Sequence, residues 1–177
     1  QRGAMVELIS GPVKLSIKHA NITVTKVESA NDMYNACCEI FPTCNVGIMC
    51  AAIADYTPAE KADQKIKRKG DMTITLKPTQ DIAAAMGNMK REEQILVGFA
   101  LETTDERSNA AGKLERKNLD FIVLNSLNDK GAGFMHDTNK ITIIEKTGSV
   151  TDYELKTKTA VAKDIVDKIV ETINAKN

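Results

Sequence analysis

The chain lacks a long apolar run, because none of its apolar stretches approaches the roughly 18 to 20 residues that cross a membrane. An N-terminal basic segment followed by an apolar one, which would direct secretion, is also missing. A surplus of positive charge is absent, since 24 basic residues are balanced by 24 acidic ones, and this argues against a nucleic-acid-binding domain. We therefore expect a cytoplasmic protein with no membrane and no nucleic-acid partner.

The sequence also has few candidate metal ligands. His19 and His136 are its two histidines, and neither has a second ligand residue at a metal-binding spacing. The four cysteines show neither C-x2-C pairs nor a disulfide scaffold, so we expect reduced, mostly packed thiols and no metal site. These cysteines are Cys37, Cys38, Cys44 and Cys50.

Glycine-rich phosphate loops are missing as well. Neither G-x-G-x-x-G nor G-x-x-x-x-G-K-[ST] occurs, and these patterns are the main signatures of dinucleotide-binding and P-loop sites. An NAD-dependent oxidoreductase on a similar sheet is therefore a weakly supported alternative, which nicotinamide fluorescence would test.

What the chain does have is an alternation of strand-length apolar runs with helical patterns. With 42% apolar side chains, its 177 residues can form one domain with a sizeable core. The alternation predicts an α/β fold, which we take as a three-layer, Rossmann-like, mostly parallel sheet with helices on both faces and an antiparallel C-terminal edge. Strands are predicted at 5–9, 22–27, 46–52 (central), 72–76, 94–100, 121–124, 141–144 and 150–155, helices from 29, from 82, at 105–117 and at 159–173, and loops at 56–64 and 130–137.

Local patterns support these elements. Ser29 and Asp32 have the spacing of a capping box, which predicts a helix start. Pro78 is predicted to end the strand before it. Residues 1–4 resemble the tail of a helix, so we expect a single domain over 1–177 that lacks its first βα unit. A four-residue spacing predicts a core stripe on the last helix at Val161, Ile165, Ile169 and Ile173.

The most informative stretch follows the apolar run 46–50. Two small residues, Ala51 and Ala52, would let a flat ligand approach the backbone, and Asp55 is the first carboxylate after them. Ligands bind at the carboxyl ends of strands in such sheets, so we expect this end, the end near Glu102 and the end at Asn125 to line one crevice. Asp55 as a helix N-cap or loop carboxylate, and Cys50 as a small core residue, remain open alternatives.

Lysines downstream of this stretch are candidate phosphate ligands. Lys65 lies in a basic run, and Lys113 and Lys117 have the i,i+4 spacing that places two cations on one helix face. The alternative is a solvated helix face whose charge Glu115 and Asp120 offset. Phe99 would either stack on a base or pack the sheet.

Several motifs together resemble those of phosphopantothenoylcysteine synthetase, the CoaB domain of bifunctional CoaBC (Dfp) proteins. The resemblance covers nearly the whole chain in order and spacing. Its motifs are Ser10-Gly11-Pro12-Val13, Cys50-Ala51-Ala52-Ile53-Ala54-Asp55-Tyr56, Lys65-Ile66-Lys67, Asp81-Ile82, Val97 to Thr103, Lys113-Leu114-x-x-Lys117-x-Leu119-Asp120 and Gly133-Phe134-x-x-Asp137-x-Asn139.

This resemblance implies a CTP-dependent ligase of coenzyme A synthesis that joins 4'-phosphopantothenate to L-cysteine through an acyl-cytidylate. It implies Mg²⁺ with CTP, FMN only in a fused decarboxylase half, and a homodimer. Lys65 is implied as the catalytic residue. Nucleotide contacts are implied at Met49, Cys50, Ala51, Ala52, Asp55, Lys65, Gln80, Asp81, Ile82, Ala83, Phe99, Lys113 and Lys117.

The sequence departs from the family pattern at two positions, and one segment of the family pattern is not among its residues. Gln80 stands where the family usually has proline, and Met49 replaces a frequent glycine. The family's glycine-rich N-terminal segment is not among these residues. A noncatalytic nucleotide-binding or regulatory domain is therefore the main alternative, and nucleotide binding without turnover would favour it.

Overall fold

The computed structural model describes residues 2–68, 70–126 and 136–176. Contacts divide the chain into two units, Gln1–Cys37 with Ala51–Ile82 (unit 1) and Cys38–Cys50 with Ala83–Asn177 (unit 2). In chain order the elements are β1 (Val6–Ser10), β2 (Ile22–Lys26), α1 (Ala30–Ile40), β3 (Val46–Met49), β4 (Tyr56–Pro58), β5 (Leu76–Pro78), α2 (Ile82–Met89), β6 (Ile95–Glu102), α3 (Glu106–Arg116), β7 (Phe121–Ser126), β8 (Thr138–Asn139), β9 (Ile141–Glu145), β10 (Val150–Asp152), β11 (Lys156–Thr157) and α4 (Lys158–Lys176).

Unit 1 contains two short two-stranded sheets. Strands β1 and β2 are parallel, and β4 and β5 are antiparallel, with Tyr56 opposite Pro78. The predicted capping box is present, because the Ser29 N–H donates to the Asp32 carboxylate at 3.0 Å and the Asp32 N–H donates to the Ser29 hydroxyl at 3.1 Å. The Ser29 hydroxyl also donates to the Asp32 carboxylate at 2.7 Å, and this bond, followed by that from the Ser29 N–H, lowers the pKa of Asp32.

Unit 2 is built on a mixed five-stranded sheet in the order β10-β9-β7-β6-β3. The pairs β3–β6 and β6–β7 are parallel, while β7–β9 and β9–β10 are antiparallel. The predicted α/β class and antiparallel C-terminal edge are therefore confirmed. The expectation of a mostly parallel sheet is corrected to a mixed one, since this sheet has two pairings of each kind.

The core of unit 2 lies between this sheet and α4. The four-residue stripe of α4 packs against alternate residues of β6, β7 and β9, as the spacing predicts, with Ile173 partly buried at its edge. Helix α3 packs against β6 and β7, and its buried Ala110 and Leu114 lie outside that cluster. The cluster comprises Ile95, Val97, Phe121, Val123, Ile141, Ile143, Val161, Ile165 and Ile169.

A close approach to the sheet occurs at Gly98. A Cβ atom on Gly98 would lie 2.4 Å from Cδ1 of Leu119, whose side chain is 1% exposed. A side chain at position 98 would therefore require the buried leucine to move.

Three predicted boundaries are wrong. Strand β3 ends at Met49 and is the last strand in the sheet order, whereas a central strand over 46–52 was expected. The predicted loop 56–64 begins with β4, and the strand expected at 72–76 lies instead at Leu76–Pro78. Pro78 thus belongs to a strand, which proline tolerates in a short edge pair that needs no hydrogen bond from its nitrogen.

The predicted loop 130–137 lies mostly outside the described residues. The four cysteines are free thiols, and Cys37 is buried while Cys50 is exposed. Among the described residues, no helix is both long enough and apolar enough to cross a bilayer.

Candidate functional site

In unit 1 the stretch after β3 lies beside the residues that precede α2. The Thr79 N–H donates to the carbonyl of Asp55 at 2.9 Å, and the Thr79 hydroxyl donates to the carbonyl of Ala54 at 2.7 Å. The β4–β5 pairing continues this contact through Tyr56 and Pro78. Thr79, which directly precedes the predicted contact residues Gln80 and Asp81, is thus hydrogen-bonded to the predicted segment 51–55 through its backbone and its hydroxyl. Sequence reasoning missed this role of Thr79.

Most of the predicted contact residues around this hydrogen-bonded stretch are open to solvent. Ala51, Ala52, Asp55, Gln80 and Asp81 are all exposed. Small or polar exposed groups beside a strand end can accept a flat polar ligand without disturbing a core.

Lys65 belongs to the part of unit 1 between β4 and β5. Residues 59–68 and 70–75 contain no helix or strand, and Lys65 is exposed. Residue 69 of the predicted basic run lies outside the described residues. An exposed ammonium on an irregular segment can reorient toward an anion with little disturbance of packing.

In unit 2 the carboxyl ends of β6 and β7 lie side by side. Leu101 pairs with Asn125 in parallel register, and the Asn125 side chain accepts a hydrogen bond at 2.8 Å from Asn139 on β8. Met49, at the end of β3, pairs with Gly98 of β6 and is partly buried. The three strands expected to present their ends together are therefore neighbours in one sheet.

The two lysines of α3 have different surroundings. The Lys113 ammonium lies 2.6 Å from the Glu102 carboxylate, and 36% and 15% of the two side chains are exposed. Lys117 is the C-cap residue of α3, and its N–H donates to the Lys113 carbonyl at 3.0 Å. Glu102, which no sequence pattern paired with Lys113, therefore offsets the charge of this lysine.

Asp120 has two ion-pair partners that lie outside α3. It forms ion pairs with Lys90 and Lys176, each at 2.9 Å. Asp120 thus belongs to an ion-pair cluster with Lys90 and Lys176.

Helix α2 contacts the turn that follows α3. A Cβ on Gly87 would lie 2.0 Å from the Lys117 carbonyl oxygen, and the Asn118 side-chain amide donates to the Gly87 carbonyl at 2.9 Å. Ala83 lies in the first turn of the same helix and is partly buried, as is Lys117. Two further segments with predicted nucleotide contacts are therefore held together in unit 2.

The remaining predicted contacts are placed as follows. Ile82 is buried at the start of α2. Phe99 is partly buried and packs against the core under α4, which is the packing alternative stated for it. Among the described residues, no group of three or more His, Cys, Asp or Glu side chains is arranged to hold a metal ion.

Comparison with known families gives a clear assignment. Residues 1–173 match the family of the DNA/pantothenate metabolism flavoprotein C-terminal domain. The chain belongs to this family. It is the family of the CoaB, or phosphopantothenoylcysteine synthetase, domain of CoaBC, so the resemblance drawn from the motifs is confirmed.

Curated relatives of this CoaB-family chain are longer proteins. The chain is 54% identical over 173 residues to a cysteine/cysteine sulfinic acid decarboxylase from an unknown prokaryotic organism, and 43% identical over 170 residues to the coenzyme A biosynthesis bifunctional protein CoaBC of Bacillus subtilis. These matches cover 97% and 96% of the chain but 48% and 42% of the relatives. The chain thus spans about half or less of each relative.

Solved structures agree with the CoaB-family fold. The C-terminal domain of a CoaBC protein is 36% identical, has a TM-score of 0.80, and is matched over 98% of this chain and 76% of its own length. A Cab2 mutant in complex with phosphopantothenate-cysteine is 12% identical with a TM-score of 0.64, covering 88% of this chain and 54% of its own, and shows the fold alone.

Proposed function

We propose that this chain is a phosphopantothenate–cysteine ligase that uses CTP to condense 4'-phosphopantothenate with L-cysteine in coenzyme A synthesis. The observation that carries the proposal is the 43% identity to a CoaBC protein over 96% of the chain. The family relationship supports ligase chemistry of this class, and the quoted motifs support the nucleotide.

The proposed reaction needs positioning and charge rather than a side-chain nucleophile. The substrate carboxylate attacks the α-phosphorus of CTP, pyrophosphate leaves, and the cysteine amine then displaces CMP from the acyl-cytidylate. Lys65, Lys113 and Lys117 would balance the triphosphate and the charge that grows in the transition state. Lys65 would also orient the acyl-cytidylate, which is why we assign it the catalytic role.

Recognition of the base is proposed for the end of β3 and the residues that follow it in the chain. Backbone groups at 49–52 would contact the edge of cytosine, and Asp55 would accept a hydrogen bond from the base or sugar. The exposure of Ala51, Ala52 and Asp55 supports this role. Gln80, Asp81, Ile82 and Ala83 would lie against the same nucleotide.

Magnesium would enter with CTP. The described residues offer no cluster of three acidic ligands, and Mg²⁺ commonly binds through substrate phosphates and water with few protein ligands. The donor set therefore fits a cation held mainly by the triphosphate. FMN would belong to a fused decarboxylase half, and we assign the decarboxylase activity named for the 54%-identical relative to the part that this chain does not match.

Three wider features complete the proposal. The domain would be a three-layer Rossmann-like unit, located in the cytoplasm and acting as a homodimer. Unit 1 supports self-association, because Leu15, Ile17, Met72 and Ile74 are apolar and more than half exposed.

Two measurements test the proposal in sequence. CTP binding by calorimetry should be tighter than ATP binding, and pyrophosphate should appear only when CTP, Mg²⁺ and phosphopantothenate are all present. Asp55→Ala should weaken CTP binding, and Lys65→Gln should sharply lower turnover. The matched controls Asp71→Ala and Lys77→Gln change exposed residues of unit 1 and should leave both quantities unchanged.

Two outcomes would contradict parts of the proposal. CTP binding that is unaffected by Asp55→Ala would refute the base site. CTP binding by a longer protein containing this chain, without pyrophosphate release, would favour a noncatalytic nucleotide-binding domain.

A further inference from the structure

Glu102 has no role in the proposed reaction, yet its carboxylate is held against a lysine to which we assign one. Its Oε1 atom lies 2.6 Å from Nζ of Lys113, the length of a charge-assisted hydrogen bond. The carboxylate side chain is 15% exposed and the lysine side chain 36%. The acid is therefore the more enclosed partner, and the ammonium has more access to solvent.

The position of the pair in the fold is informative. Glu102 is the last residue of β6, whereas Lys113 is the eighth of the eleven residues of α3. Because α3 joins two parallel strands, it must carry the chain back toward their amino ends. Seven residues of helix correspond to about 10 Å along its axis, so the Lys113 backbone lies well back from the helix start.

Hydrogen bonding to Glu102 therefore brings the Lys113 ammonium to the carboxyl end of β6. This is the edge where ligands bind in open α/β sheets. An ammonium has three N–H donors, and Glu102 uses one of them. The other two can be offered to an anion.

We infer that Glu102 is a positioning residue, which holds the Lys113 ammonium at the carboxyl end of β6 for contact with the phosphates of the nucleotide. The inference rests on the proposed function. Without Glu102 the flexible four-carbon stem of Lys113 would sample many rotamers, and nucleotide binding would have to order it.

A charge-removing variant tests this role. Glu102→Gln keeps the size of the side chain but removes its charge. We expect it to raise the Kd for CTP about fivefold in calorimetry, because the neutral amide holds the Lys113 ammonium in place less strongly than the carboxylate does. The KM for CTP should rise similarly in the coupled assay, while the KM for L-cysteine stays unchanged. Glu115→Gln removes the same charge from an exposed position on α3 and should change the Kd less than about twofold.

A double-mutant cycle separates positioning from a general structural effect. If Glu102 acts through Lys113, Glu102→Gln should have no further effect on CTP binding in a Lys113→Met background. Should Glu102→Gln fail to fold, Glu102→Asp keeps the charge but withdraws it by one methylene, and an intermediate rise in Kd is expected.

Three results would overturn the inference. An unchanged Kd in Glu102→Gln would show that the pair does not aid binding, and a lower Kd would show that Glu102 competes with the phosphates for Lys113. In both cases the parent chain still binds CTP, so the proposed function survives. Absence of CTP binding by the parent chain would overturn the proposed function and this inference together.

Discussion

The carboxylate of Asp120 binds the ammonium of Lys90 at 2.9 Å, and neither side chain is more than 9% exposed. The same carboxylate accepts a hydrogen bond from the Leu96 N–H at 2.7 Å and pairs with Lys176 at 2.9 Å. Lys176 also donates to the carbonyl of Gln94. Asp120 thus links the beginning of β6, the residue before β7 and the end of α4.

We expect Asp120→Asn to lower the free energy of unfolding by about 3 kcal/mol at pH 7, because the buried ammonium of Lys90 would lose its counter-charge. Urea unfolding measures the change. Asp71→Asn, at an exposed position in unit 1, is the matched control and should change stability by less than about 0.5 kcal/mol.

The effect of Asp120 should also depend on pH. Burial raises the pKa of its carboxyl, but hydrogen bonds from Lys176, Lys90 and the Leu96 N–H outweigh burial and lower it. A lowered pKa stabilises the fold above the unfolded value of about 4, and this contribution is lost as pH falls through the folded value. The stability difference between parent and Asp120→Asn should therefore shrink below about pH 4. A constant difference would contradict this assignment.

The contribution of Lys168 to stability should instead be lost at alkaline pH. Burial lowers its pKa, but hydrogen bonds to the carboxylates of Glu145 and Glu171 outweigh burial and raise it. A raised pKa stabilises the fold below the unfolded value of about 10.4, and this contribution is lost as pH rises through the folded value. Lys168→Gln should lower the free energy of unfolding by about 2 kcal/mol at pH 7, and by less above pH ~10.5.

Thermal unfolding across pH measures this loss. Lys163→Gln, at an exposed position on the same helix, is the control and should follow the parent curve at every pH. An equal loss in both variants would show that the ion pairs of Lys168 do not stabilise α4.

Gly98→Ala should destabilise the chain by about 1 to 3 kcal/mol, because the new methyl group would overlap the buried Leu119 side chain. The control is Gly112→Ala, since Gly112 lies inside α3 and a Cβ there meets nothing within 4 Å. That change should leave stability equal or raise it by up to about 1 kcal/mol, because alanine favours helix. Chemical denaturation compares the two, and equal effects would rule out the steric argument.

Thr79→Val should weaken CTP binding about threefold with a loss of about 1 kcal/mol in stability, since it removes the hydroxyl bonded to the Ala54 carbonyl. Thr75→Val, at an exposed position just before β5, should alter neither. Calorimetry and urea unfolding give the two quantities. A loss of stability with unchanged CTP affinity would limit Thr79 to a structural role.

Much of unit 2 could be predicted because its elements bury a regular pattern. The apolar run at 94–100 and the four-residue spacing from Val161 identify β6 and α4, since both fill one core. The β4–β5 pair could not be predicted. Its strands are three residues each, and both include a proline, so neither shows a strand period.

The sequence predicts which residues belong to the candidate site, but not which side chains they contact. The sequence shows Glu102 as an acid at the end of a predicted strand, yet its contact with Lys113 depends on a helix that returns along β6, and no local pattern predicts that contact. The role of Thr79 could not be predicted either, because its hydrogen-bond partners Ala54 and Asp55 lie about 25 residues earlier in the chain. The nucleotide contacts themselves stay predictions.

The contact at Gly87 bears on how a ligand would be received. The backbone of α2 at Gly87 lies so close to the Lys117 carbonyl that no side chain would fit between them. The distance between Ala83, in the first turn of the same helix, and Lys117 is therefore fixed by the fold. A ligand that touches both residues would find that distance already set. It would lose little conformational entropy there, and its affinity would reflect the quality of its contacts rather than the cost of assembling them.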